Sequence, residues 1–200
     1  FPKFNGGTND FIGRLYAHQG KILATGNFRY YVKRTYDKPN YDFTRDTVIL
    51  DSTEIRQIVR MNLDGSLDKT YRFNTATNKG NIGANGQVDT YMHTDADKLE
   101  KLVVFGNFNT FDGQAAGRII RLNADGTIDP TFNTGSGADN QIFSLIYNAT
   151  TKKYMMTGSF TKYNGKTAIG IAMLNEDGTL DESFTAKALD GGYASFAKQL

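Results

Sequence analysis

The chain has no cysteine, no tryptophan, three prolines and two histidines among its 200 residues. Without cysteine there is no disulfide, no thiolate metal site and no thiol nucleophile. Charge of one sign is also missing: 23 basic residues face 21 acidic ones, a formal +2. That balance argues against a nucleic-acid surface built on bulk charge. No apolar run approaches the roughly 18 residues that a membrane helix needs. Helical periodicity nowhere lasts beyond a turn or so. The chain opens on Phe1 rather than Met. It therefore reads as a processed or truncated piece, with any signal peptide or lipid anchor upstream.

What is present is glycine, at 21 residues, and aromatics at 12%, all Tyr and Phe. This mix suits many short strands joined by tight turns. The organising stretch is Arg118–Phe132, an apolar strand followed by Asn123-x-Asp125-Gly126, then Asp129 and an aromatic three residues later. It recurs as Asn62, Asp64, Gly65, Asp68 and Tyr71, and as Asn175, Asp177, Gly178, Asp181 and Phe184. A second landmark precedes it: Lys21–Phe28, Lys101–Phe108 and Lys153–Phe160 each hold a Gly two residues before Phe. Gly106 to Asn123 and Gly158 to Asn175 are both 17 residues, but Gly26 to Asn62 is 36. The first repeat thus carries an insertion of about 19 residues, Val32 to Leu50, where the others have the tight-turn pairs Asp112-Gly113 and Asn164-Gly165.

A period of 50–60 residues means an array of supersecondary units. The repeats run over about residues 4–71, 71–132 and 132–184, with a cut-off fourth at 184–200. The predicted strands are Phe11–Ala17, Lys21–Phe28 and Ile55–Met61, then Val88–Met92, Leu99–Phe108 and Arg118–Leu122, then Gln141–Tyr147, Tyr154–Phe160 and Ile169–Leu174. Gly191–Ala197 would open the fourth repeat, 74–86 reads as a surface loop, and the insertion reads as an extended hairpin with Thr47–Leu50 returning. Three strands and a short fourth per unit fit the blades of a partial β-propeller; a β-solenoid is the rival. The turn Asp and Asn should accept backbone N–H bonds, with Gly65, Gly126 and Gly178 at positive φ. Asp68, Asp129 and Asp181 should cap the next bend. Tyr71, Phe132 and Phe184 should fill the space between sheets, and Gly26, Gly106 and Gly158 should mark a bulge or close backbone approach.

These residues resemble the delta-60 repeat, a bacterial β-propeller family of uncharacterised function. The match rests on Gly106–Phe108, Asp112-Gly113 and Arg121–Phe132, and on Gly158–Phe160, Asn164-Gly165 and Leu174–Phe184. Repeat one departs through its insertion. The resemblance covers roughly residues 4–185. It implies a propeller in an exported bacterial protein, and the Tyr-rich insertion looks like those of Bacteroidetes surface lipoproteins that accompany outer-membrane nutrient importers. The family offers no catalytic residues.

No catalytic signature stands out, so the chain reads as a non-enzymatic binding or scaffold module, with no cofactor or metal expected. A calcium loop at Asn62-x-Asp64-Gly65 would need a ligand two residues before the Asn, where Arg60, Arg121 and Met173 stand. His18 and His93 both fall in the predicted turn between strands one and two, and His93 with Asp95 and Asp97 is turn polarity as readily as a ligand cluster. Paired carboxylates for glycoside hydrolysis could come from Asp10, Asp89 and Asp139 near first-strand starts. The best binding candidates are Tyr30, Tyr36, Tyr41 and Phe43 on or beside the insertion, since exposed rings stack on sugars or anchor partners; Tyr31 reads as core. The expected partners are a protein or surface complex and a glycan or peptide ligand. The rivals are a propeller-fold carbohydrate-active enzyme and a purely structural module that closes a ring. The expected location is the bacterial outer surface, through an anchor outside this chain.

Overall fold

The computed structural model describes residues 6–36, 48–94, 98–186 and 194–195, with only the backbone at 34–36 and 48–50. The described residues form strands and turns throughout, in two compact units, Phe1–Gly83 and Ala84–Leu200.

In the first unit the strands are β1 (Gly6–Thr8), β2 (Ile12–His18), β3 (Lys21–Gly26), β4 (Tyr30–Tyr36), β5 (Val48–Glu54), β6 (Ile58–Met61), β7 (Phe73–Asn74) and β8 (Lys79–Gly80). β2, β3 and β6 make an antiparallel meander, the blade of repeat one. β4 and β5 pair over seven positions, from Tyr30↔Glu54 to Tyr36↔Val48, and β1 joins through β4. The described ends of the insertion are thus the two paired strands of the hairpin expected. Its return strand runs on to Glu54, past the Leu50 expected. The third strand starts at Ile58 instead of Ile55, because Ile55 and Gln57 donate back to Arg29 and Phe28 and Gln57 takes a φ of 65°.

The stretch 74–86 is not the plain surface loop expected. β7 and β8 form a short hairpin whose turn is held by Asn74, which accepts from the backbone N–H of Ala76 and Thr77. Gly83 and Ala84 are buried.

The second unit holds β9 (Gln87–Thr94), β10 (Glu100–Asn107), β11 (Thr110–Phe111), β12 (Gln114–Ala115), β13 (Ile119–Leu122), β14 (Ile142–Asn148), β15 (Lys153–Gly158), β16 (Lys162–Tyr163), β17 (Lys166–Thr167) and β18 (Ile171–Asn175). Its two blades are β9-β10-β13 and β14-β15-β18. The predicted short fourth strand is reduced to single bridges, Leu122↔Ile128 and Leu174↔Leu180, with Met61↔Leu67 matching in repeat one. β11-β12 and β16-β17 are hairpins of two pairs. Their turns have positive φ at both central residues, 50° and 79° at Asp112-Gly113 and 47° and 76° at Asn164-Gly165, which is the type I′ geometry.

The strand-two glycines mark a close approach. A Cβ on Gly26, Gly106 or Gly158 would run into the carbonyl oxygen of Phe11, Gln87 or Gln141, and the neighbouring strand-one register shifts at Ile12/Arg14 and Ile142/Ser144. Gly191–Ala197 lies largely outside the described residues; Ala194 and Ser195, which are described, are not in a strand.

Alternation gives each blade two faces. We call leading the face that carries Leu145 and Tyr147 in repeat three, and trailing its opposite. Tyr91, Val103, Phe105 and Ile119 on the trailing face of the repeat-two blade share one core with Leu145, Tyr154 and Met156 on the leading face of the repeat-three blade. Phe132 lies in that core and is 8% exposed. Tyr71 is buried likewise, but Phe184 is only half-buried and closes no space between described sheets.

Candidate functional site

The repeat turn is a closed hydrogen-bond device. In each copy the Asp Oδ1 accepts from the backbone N–H and the hydroxyl of the residue two further on: Asp64 from Ser66, Asp125 from Thr127, Asp177 from Thr179, at 2.6–3.0 Å. Those hydroxyl and N–H donors hold all three carboxyls below the usual range. The turn Asn behaves differently from expectation. Its Nδ2 donates to the same hydroxyl, Asn62 to Ser66 Oγ at 2.9 Å, Asn123 to Thr127 Oγ1 at 3.1 Å and Asn175 to Thr179 Oγ1 at 2.9 Å. The turn Gly N–H, three residues on, donates to the backbone carbonyl of that Asn instead, at 2.9 Å in each copy. Gly65, Gly126 and Gly178 sit at φ 83°, 88° and 84°.

The second Asp does cap the next bend. Asp68, Asp129 and Asp181 each accept from the N–H and hydroxyl of Thr70, Thr131 and Ser183. The other oxygen does more. Asp68 Oδ2 meets Arg60 Nε at 2.6 Å and Lys21 Nζ at 2.8 Å; Asp129 Oδ2 meets Arg121 Nε at 2.8 Å and Lys101 Nζ at 3.1 Å. Burial alone would raise these carboxyls, but Lys21, Thr70 and Arg60 on Asp68, and Thr131, Arg121 and Lys101 on Asp129, hold both well below the ordinary carboxylate range. The guanidiniums also lie over the repeat aromatics, Arg60 4.4 Å from the Tyr71 centroid and Arg121 4.6 Å from Phe132. In repeat three Met173 replaces the Arg, and among the described residues Lys153 is the cation that meets Asp181.

Neither histidine lies in a turn. His18 ends β2 and His93 lies in β9, each 1% exposed, because each pairs across the blade with the lysine of an Asp-Arg-Lys cluster, Lys21 or Lys101, and so faces that cluster. His18 Nδ1 is 3.3 Å from Arg60 Nη1 and its ring meets Tyr71 edge-on. His93 meets Tyr147 edge-on at 4.3 Å, with Nε2 3.5 Å from Glu176 Oε1. Tyr147 donates to that same oxygen at 2.9 Å, and Arg121 Nη1 donates to the Glu176 carbonyl at 2.7 Å. Burial and the Glu176 carboxylate push the Tyr147 hydroxyl up. Asp95 and Asp97 fall outside the described residues, among which no three His, Asp or Glu group to hold a metal ion.

The three acids weighed as a carboxylate pair do not occupy equivalent places. Asp10 accepts from its neighbour Phe11 N–H and Asp89 from Thr90 N–H. Asp139 belongs instead to a latch that sequence reading missed. Its Oδ1 accepts from the N–H of Thr161 and Lys162, as Asn85 Oδ1 does from Asn109 and Thr110 and Asn9 Oδ1 from Arg29 and Tyr30. The signal was present as Asn9, Asn85 and Asp139 at one repeat position.

Of the insertion candidates, Tyr30 is half-buried with the Arg29 guanidinium 5.6 Å from its ring centroid. Tyr36 pairs with Val48 at the far end of β4. Tyr41 and Phe43 lie outside the described residues. Tyr31 is core, 3% exposed, donating to the Gly65 carbonyl at 2.5 Å as Tyr163 does to Gly178 at 2.8 Å. At the hairpin base Glu54 meets Arg29, Arg56 and Lys79 at 2.9–3.4 Å, and the Arg56 hydrogen bond leads in bringing its carboxyl down to about 2.

Repeated three-stranded antiparallel sheets with a recurring turn and strand-two glycine define an all-β repeat protein built of β-propeller-type blades. A family model described as a domain of unknown function (DUF5122) beta-propeller matches residues 101–132 and 152–184, about a third of the chain. These segments are the second strand, hairpin, third strand and turn of repeats two and three. No curated protein and no solved structure matches the chain.

Proposed function

We propose that the chain is a non-catalytic binding or scaffold module of an exported bacterial cell-surface protein, accessory to an outer-membrane complex that takes up glycan or peptide nutrients. The β4–β5 hairpin is its contact element. One observation carries this reading. A hairpin of two pairs suffices at the same place in repeats two and three, and repeat one extends it to seven. Among the described residues the base is held by β1, by the Tyr31 hydroxyl and by the Glu54 cluster. The pairs beyond the second exceed what the other two blades use, and the added length carries Tyr36, Tyr41 and Phe43 among charged residues.

The test replaces residues 32–52 with Asn-Gly in the full-length native protein. Thermal unfolding should shift by only a few degrees, and co-purification of an outer-membrane transporter, or binding to a glycan or peptide array, should be lost. Unchanged co-purification and array binding would overturn the reading, as would collapse of the fold.

A further inference from the structure

We infer that the leading face of the repeat-one blade docks on the trailing face of the repeat-three blade in a second copy of this chain. The template is the joint inside the second unit, and the inference stands apart from any role of the β4–β5 hairpin. Register fixes the correspondence. Leu15 pairs with Ala24 as Leu145 pairs with Met156, and Ala17 with Ile22 as Tyr147 with Tyr154. Leu145 is 4% exposed beneath the repeat-two blade, whereas Leu15 is 63% exposed. On the other side, Met155 and Ile171 occupy the positions of Val103 and Ile119. Those two are fully buried, but Met155 and Ile171 are only half-buried, and Ile171 lines a groove of about 360 Å³ with Met173, Asp181 and Phe184 among others. Among the described residues, Leu15 and Ala17 beside the buried Ala24 and Val59, and Met155 and Ile171 on the other blade, are thus left open at positions that the joint inside the second unit seals.

The chemistry of the two halves matches where it departs from the template. In the internal joint, trailing His93 and Arg121 meet leading Tyr147 and Glu176. At the same positions the free trailing face has Asn148 and Met173, and the free leading face has Ala17 and Leu63. The counterparts of Arg121 and of the Glu176 carboxylate are both absent, and the Lys153 that remains is paired with Asp181, so neither face would bury an uncompensated charge from the other. Leu63 is 73% exposed, an apolar residue at the tip of a turn whose counterpart Glu176 rests on the neighbouring blade. Unlike faces meeting is a heterologous contact, which propagates head to tail.

The experiment is sedimentation velocity on the full chain across a micromolar dilution series, with Leu15→Asp and Ile171→Asp variants. The native chain should show a mass above that of one copy, falling on dilution. Each variant should stay monomeric while keeping its circular dichroism spectrum and melting temperature. An equimolar mixture should form a one-to-one complex, since each variant keeps the face that the other lost. A native chain that is monomeric throughout would overturn the proposal and leave sequence beyond Ala186 as the cover of the trailing face. Association that survives Leu15→Asp, or a mixture that fails to assemble from folded variants, would overturn it equally. Should Ile171→Asp not fold, Leu15→Asp still decides, because Leu15 is mostly exposed in the single chain.

Discussion

Asp129 shows how much one repeat residue carries. One oxygen caps the bend at Thr131, and the other joins Arg121 and Lys101. Removing its charge strands a buried guanidinium, so Asp129→Asn should cost about 3 kcal/mol, read by chemical denaturation. The same linkage gives a pH dependence. Asp68 and Asp129 titrate below their unfolded values, so their contribution is fully present above about pH 4 and is lost as pH falls through the folded values. The melting temperature should fall below about pH 4, and less steeply in Asp129→Asn. An equal acid slope in the variant would mean that other carboxylates set the transition. The Asp itself was legible in the sequence as a turn residue. Its cations were not, because Lys101 stands 28 residues away and only the folded blade brings it to Asp129.

At the scale of elements, the outer hairpin of each blade is one device in two sizes. A type I′ turn closes it in repeats two and three, and in repeat one the same base carries β4 and β5. The Tyr163 hydroxyl fastens this hairpin to the Gly178 carbonyl, and Tyr31 does so to Gly65. Phe111 takes the same place in repeat two, so the ring fits without its hydroxyl. Tyr163→Phe should therefore keep the fold and cost about 1 kcal/mol, the net worth of one buried hydrogen bond. A loss several times larger would mean that the ring itself had moved. The hairpins were readable in advance, since Asp-Gly and Asn-Gly dictate them locally. The β7–β8 hairpin was not, because its strands are two residues each and show no alternation.

For the molecule as a whole, neighbours decide what a repeat position is worth. Leu145 and Leu15 are the same residue at the same register, one sealed by an adjacent blade and one facing solvent. Leu145→Ala should cost about 3 kcal/mol through lost burial and the cavity left behind. Leu15→Ala should cost almost nothing at high dilution, and at high concentration it should weaken association. Similar costs for both in dilute solution would mean that the first blade is already covered.

The sequence by itself determined the all-β class, the three main strands of each of the three blades to within a few residues, the Gly turns, the bend-capping Asp and a hairpin at the insertion. Each of these is governed by residues close together in the chain, through alternation, turn dihedrals and short-range hydrogen bonds. Only the tertiary structure decided that both histidines are buried, that Asp139 is a latch, that cations gather on Asp68 and Asp129, and which faces lie open. Those outcomes depend on which strands stack on which. Stacking is set by apolar burial between segments tens of residues apart, which no local pattern encodes.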